Sequence, residues 1–414
     1  VDPKARPNLY DEKVMGELIR FVCAHEVGHT IGLQHNFGAS NATPVEKLRD
    51  PEFIRKNGHT SSIMDYARFN YVAQPEDGVT DLMPRVGDYD KWAIEWNYKP
   101  FYDTKNEYED KIKLNDLYKE KVTDNVRLLF LSQINPYEPR AQSEDIGDNS
   151  VLASEYGIKN LQRILPNLIE WSAEDAEHYE MANELYNSLV GQYRRYMGHV
   201  TKWVGGVHAT PKTYDQEGKV YEPVSKERQK EAVKFLNTQL FQTPEWIMSE
   251  DILSKVRPDA GVAAIARLQE STLNSLLSVS RMTRMMENVA QQPNNYSISN
   301  LHNDLYRGIW TELITGTNVS MHRRNLQKIH LEKLISNMDP KGGGSFSFRG
   351  YGFNLVNGPS MDPKKTDMVS ITMGNLKKMH AALEKAVKKA DDDMTKYHYE
   401  DCIMRIEEAL DMDD

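Results

Sequence analysis

Cysteine is nearly absent: Cys23 and Cys402 are the only two in 414 residues. Two cysteines build neither a disulfide framework nor a thiolate metal cluster. Large exported proteins can do without disulfides, so the scarcity leaves the compartment open. No run of about eighteen apolar residues occurs, which excludes a membrane-spanning helix. No long basic run occurs either, and the formal net charge is -10. A nucleic-acid groove needs the opposite balance, so nucleic acid is set aside as a partner. No period of about 20–50 residues repeats, which argues against a solenoid. The stretch "GGGSFSFRGYG" lacks the G-x-x-x-x-G-K-S/T phosphate loop, and no G-x-S-x-G elbow is present. Nucleotide cradling and serine-hydrolase chemistry therefore drop out. The opening "VDPKARPNLYDEK" is polar and is no signal peptide. Because it starts on Val, the chain is expected to be a piece of a longer polypeptide.

What is present is enough apolar residue to fold, 39% of the chain, over a length that suits two or three domains. Residues 1–10 hold two prolines and read as an extended lead-in. A helical pattern then runs from Asp11 to Leu33, with Val14, Leu18, Val22, His25 and His29 three or four apart on one face. Thr43 and Glu46 form a capping-box signature with Pro44 between them, and Asp50-Pro51 is a second short helix start. Residues 58–80 read as loop. "DYDKWAIEWNY" is one helix, from about Asp88 to Tyr98, stopped by Pro100. After about residue 105 amphipathic helical stretches dominate: roughly 112–132, 150–170, 173–203, 225–241, 260–291, 298–338 and 373–410. A hairpin with its turn near Gly218 interrupts them, and residues 340–359 form a Gly-rich, aromatic-bearing excursion. The expected organisation is a first segment over 1–105 and a mostly helical accessory region over 106–414, with a sub-boundary near 205–225.

The chemistry is concentrated in "FVCAHEVGHTIGLQHNF", residues 21–37. On a helix, positions four apart share a face, so His25 and His29 can aim two imidazoles at one metal ion. Glu26 lies one residue on, rotated by about 100°. Its carboxylate falls beside such an ion, placed to take a proton from water. Gly32 tolerates positive φ and lets the helix end abruptly, so the chain can turn back and present His35 as a third imidazole. Three histidines with a position left open make a catalytic site, not a closed structural one. The plain alternative is a core helix that happens to carry histidines. A bare H-E-x-x-H arises by chance in about one such chain in fifty, and the extended pattern in about one in 30,000.

His25, Glu26, His29, Gly32 and His35 match the extended motif H-E-x-x-H-x-x-G-x-x-H, and the chain thereby resembles the metzincin zinc endopeptidases. The resemblance implies one catalytic zinc ion on His25, His29 and His35, and a tight turn carrying a methionine beneath it. Met64 in "HTSSIMDYARF" takes that place, its thioether packing softly against the imidazoles. Tyr66 resembles the Met-x-Tyr arrangement of some branches, where the tyrosine binds zinc or stabilises the transition state. The residue after the third histidine, Asn36, matches no familiar branch. The chain as a whole resembles a bacterial family of large exported proteins, the Met-zincins. The implied fold is mainly α (α+β overall): a metzincin lower subdomain, then a long, mostly helical extension with one hairpin. A metzincin places a twisted sheet before its zinc-binding helix, and the residues before His25 do not hold one. The upper sheet is thus expected to lie upstream in the same polypeptide, which would complete the cleft. The implied partner is a protein or peptide substrate, and the implied location is exported: periplasmic, cell-surface or extracellular.

Two other classes compete. One is a non-catalytic zinc-bearing binding or interaction protein of the cell envelope. The other is a zinc peptidase that takes its third ligand from a distal glutamate, Glu107 or Glu109; intact His35 and Met64 argue against it. Glu144, Asp145 and Asp148 cluster in "RAQSEDIGDNS" in a way that could hold calcium, against the plainer reading of a solvated loop or helix cap. His178, His199, His208, His302, His322, His330, His380 and His398 stand singly and read as surface or satisfied core. Cys23, two before His25, points away from the ligand face and reads as buried and apolar.

Overall fold

The computed structural model describes residues 10–132, 135–259, 261–339, 348–350, 353–355 and 362–411. The expected extended lead-in thus lies outside the described residues, apart from Tyr10. The chain forms two compact units, Val1–His199 with Val207–Glu222, and Val200–Gly206 with Pro223–Asp414.

The first unit carries α1 (Glu12–Thr30), α2 (Pro51–Asn57), α3 (Asp88–Tyr98), α4 (Glu107–Val122), α5 (Ser150–Ile164), α6 (Leu168–Trp171) and α7 (Glu180–Thr201), whose last residues belong to the second unit. The second unit carries α8 (Lys226–Leu236), α9 (Glu250–Val256), α10 (Val262–Leu276), α11 (Val279–Gln291), α12 (Ile298–Ile309), α13 (Thr311–Thr315), α14 (Met321–Ser336), α15 (Asp367–Val387) and α16 (Asp393–Ala409). The fold is mainly α, as expected. Strands β1 (Val207–Ala209) and β2 (Tyr221–Pro223) pair in the expected hairpin, with Gly218 at positive φ in its turn. Within the Gly-rich excursion, β3 (Phe348–Gly350) and β4 (Phe353–Leu355) form a second antiparallel pair, Phe348 opposite Leu355. Among the described residues every strand follows α1 in the chain.

Local signals explain how the first unit is cut into elements. The Asp11 carboxylate caps α1 by accepting from Val14 N–H, and Asp50 caps α2 ahead of Pro51 at the first helical position. The Thr43 capping box does not form. Residues Val45–Arg49 make a 3-10 turn, and Asp148, distant in sequence, takes the Val45 N–H instead.

One core cluster sits directly under the 25–35 segment. Leu33, Ile63, Met64, Tyr89, Trp92, Ala93 and Val122 are buried together, with Phe21, Ala24 and residues 128–130 packed against them. Truncating a buried leucine such as Leu33 to alanine costs roughly 2–5 kcal/mol. The opposite face of α1 is open: Met15, Ile19 and Val27 are exposed, and so is Val22, expected on the face of His25 and His29. Cys23 shares that openness and is exposed, not buried as its apolar character suggested. The core lies on the side of α1 that carries Gly28, so among the described residues one facing the other way has nothing to pack on.

Candidate metal centre

α1 ends at Thr30, and Gly32 follows with φ +86°, a left-handed conformation that costs glycine least. Gly32 N–H closes the turn on the His29 carbonyl. The chain reverses, and His35 comes back toward the helix. The Nε2 atoms of His25 and His35 lie 3.2 Å apart, and those of His29 and His35 3.0 Å apart. Ligand atoms of all three side chains fall within 4.8 Å of one another.

The ring orientations are fixed from behind. His25 Nδ1–H donates to the Ile63 carbonyl at 2.7 Å, and His29 Nδ1–H to the Leu33 carbonyl at 2.9 Å. A carbonyl only accepts, so each Nδ1 holds the proton and each Nε2 presents a lone pair. His35 Nε2 lies about 3 Å from both of these lone pairs, so a single cation could be shared by all three nitrogens. Tetrahedral zinc with Zn–N bonds of about 2.0–2.1 Å spaces its nitrogens by about 3.3–3.4 Å, close to what is seen, so the donor set fits that ion. Burial, then His29 and His25 beside it, hold the His35 pKa below its ordinary value, while Glu26 pulls the other way. A neutral imidazole is the form a metal needs.

Glu26 lies exposed on the same helix, beside the triad. Tyr66 is also exposed, its ring centroid 4.6 Å from that of His35 and 5.3 Å from that of His25. Met64 is fully buried beneath, with its thioether against Gly28, which lies between His25 and His29 on the helix. A Cβ built on Gly28 would stand 2.3 Å from Met64 Sδ.

The model of the Met-zincin family matches residues 8–316. The chain belongs to that family. No curated protein and no solved structure matches it.

In this Met-zincin the turn that carries Met64 is held by residues outside the histidine motif and the Met-x-Tyr pair. Asp90, in the first turn of α3, accepts from Ser62 Oγ at 2.6 Å, Ile63 N–H at 2.8 Å and Gly87 N–H at 2.7 Å. It thus holds Ile63 by its N–H, the residue whose carbonyl anchors His25. Gly87 lets the two segments meet, since a Cβ there would lie 2.1 Å from the Ser61 carbonyl oxygen. Asn36 is buried; its N–H donates to the Met64 carbonyl, and its side chain donates to Leu129 O and accepts from Leu131 N–H. Tyr98 OH reaches back to the Ile31 carbonyl at the end of α1. Two signals for these roles were readable: a glycine inside a helix, Gly28, and an acid three residues after a glycine at a helix start, Asp90.

The other candidates stand elsewhere. Glu109 folds back on the start of its own helix, accepting from Lys105 N–H, and neither it nor Glu107 belongs to the metal-ligand group. Glu144 is bridged by Arg68 at 2.9 Å and Arg195 at 2.8 Å, and Asp148 caps Val45. Among the described residues the histidine triad is the one group with metal-ligand spacing, and the 144–148 carboxylates are not part of one. Of the single histidines, His302 is buried with neither ring nitrogen hydrogen-bonded, so it is not a satisfied core residue.

Proposed function

We propose that the chain carries the centre of a zinc-dependent endopeptidase. The observation that supports it most is the convergence of three imidazole nitrogens on one point, two of them with their far nitrogens tied to backbone carbonyls. His25, His29 and His35 would hold one zinc ion, which supplies Lewis acidity toward water and toward a peptide carbonyl. Glu26 accepts the proton of the attacking water and returns it to the leaving amine. Because Glu26 is exposed at the centre, it can reach both partners of that transfer without moving the helix. The Tyr66 hydroxyl, at the same rim, donates to the oxygen that gains charge as the carbonyl becomes tetrahedral. Met64 and Asp90 take no part in the chemistry; they fix the floor and the His25 ring, which positions the centre.

The substrate in this reading is a protein or peptide. The resemblance to large exported bacterial proteins supports an exported location, and no helix among the described residues is long and apolar enough to cross a membrane. A zinc-bearing binding protein would share the ligands and have no use for Glu26. The deciding experiment is cleavage of an unfolded protein by the zinc-loaded chain, with and without chelator, beside the Glu26→Ala variant. Chelator-sensitive cleavage that disappears in Glu26→Ala supports the peptidase. Zinc binding without any cleavage by longer and shorter forms of the protein sinks it.

A further inference from the structure

The second unit contains a polar concavity of about 180 Å³ between α8 and α12. The two helices run in the same direction. Gln229, near the start of α8, bonds Asn295 just before α12, and Asn237 after its end bonds the Asp304 carbonyl. Their N-terminal ends, where the peptide dipoles are positive, therefore lie side by side. Three cations line the space: Lys226 and Lys230 from α8 and Arg307 from α12. None of the three has an ion-pair partner among the described residues. Asn300 and Asn303 add amide groups, and Asn303 has no hydrogen-bond partner there. The one acid, Asp304, accepts from Tyr296 OH at 2.8 Å.

This arrangement opposes local stability. Lys226 puts a positive charge at a helix N-terminus, where the dipole disfavours it. Lys230 repeats that charge one turn on, at a spacing where like charges repel. In a chain of net charge -10, three cations without an ion-pair partner gathered around one hollow give it a positive field that an anion would relieve. With Asp304 counted, the lining carries a net charge of +2, which matches a dianion. The space is smaller than a pocket for a whole drug-sized ligand and suits a head group. Lysines as point charges, a guanidinium and an amide match the oxygens of a phosphoryl group.

We propose that this concavity is a binding site for a phosphate monoester dianion. The test is isothermal titration of the zinc-loaded full chain, near neutral pH, with inorganic phosphate and with glycerol phosphate, against chloride at matched ionic strength. Vesicles with and without phosphatidic acid form a further arm, which tells a lipid head group from a soluble ester. Saturable binding of any of these phosphates is expected, weakened at least about tenfold in the Lys230→Gln/Arg307→Gln double variant. A phosphate response at zinc would persist in that variant, so an unchanged response overturns the proposal, as does an equal response to chloride. Both residues are exposed, and without phosphate the variant is expected to unfold at or slightly above the parent's temperature, since a like-charge repulsion is removed. If it fails to fold, Asn303→Asp carries the test by adding a repelling carboxylate; the same loss is expected, and undiminished binding overturns the site.

Discussion

The histidines of α1 and the histidines in the second unit's core sit in opposite surroundings. His25 and His29 each give one nitrogen to a backbone carbonyl and point the other at His35. His302 on α12, His330 on α14 and His398 on α16 are also buried or nearly so, and also helical. Their nitrogens do not converge. His398 Nε2–H donates to Gln327 Oε1, His330 Nδ1 accepts from Trp310 Nε1–H, and His302 has no hydrogen bond at all. Burial holds the pKa of His302 and His398 down at about 4, and that of His330 at about 3. A helical histidine therefore joins a group with metal-ligand spacing or fills a core according to where its second nitrogen points, and the difference is visible only in three dimensions.

The largest expected effect belongs to the proposed proton acceptor beside the triad. Glu26→Ala should keep zinc and lower turnover by about 10²–10⁴-fold, since it removes only the proton acceptor; turnover within tenfold of the parent would mean another base. Next, His29→Ala should lose zinc by more than the roughly 10- to 100-fold that a lost outer hydrogen bond costs. His330→Ala should leave zinc content unchanged, and equal zinc in the parent and His29→Ala would erase the contrast between the two histidine sets. Tyr66→Phe should lower kcat by roughly 10- to 100-fold with little change in KM. A change confined to KM would recast Tyr66 as a ground-state contact.

Acid sharpens the comparison from the other side. The folded pKa values of His302, His330 and His398 lie below the ordinary 6.5. The unfolded chain thus binds more protons between the two values, and stability falls as pH drops from about 6.5 toward 4. Each histidine contributes up to about 1.4 kcal/mol per pH unit. Urea unfolding of the chelated protein across that range should show this slope, and a slope seen only with zinc bound would contradict it. The smallest effect is at one residue. His302→Leu removes two unsatisfied buried nitrogens and should stabilise by roughly 1–3 kcal/mol at neutral pH, read as a raised urea midpoint.

Much of this was legible where the cause is local. The spacing of His25, His29, Gly32 and His35, the Asp50 cap and the bounds of Asp88–Tyr98 depend on residues within a turn of one another. Long-range causes were not legible. The pattern over 298–338 read as one stretch, yet it breaks at Trp310 and Gly316, where the Arg323 guanidinium takes the Gly308 and Ile309 carbonyls and rewards the interruption. Asp148 displaced the Thr43 cap from a hundred residues away. Cys23 had an apolar character that fitted a core, but the core formed on the far side of its helix.

Asp90 couples two processes that are usually measured apart. Its carboxylate joins the first turn of α3 to Ile63, the residue whose carbonyl anchors His25. Whatever frays α3 loosens His25, and by reciprocity an ion held on His25 would tighten α3. Zinc loading should then slow deuterium uptake at the amides of Ile63 and of residues 91–94, well outside the coordination shell. The amides of α14, whose histidine takes no part in the triad, should exchange at one rate with or without the ion.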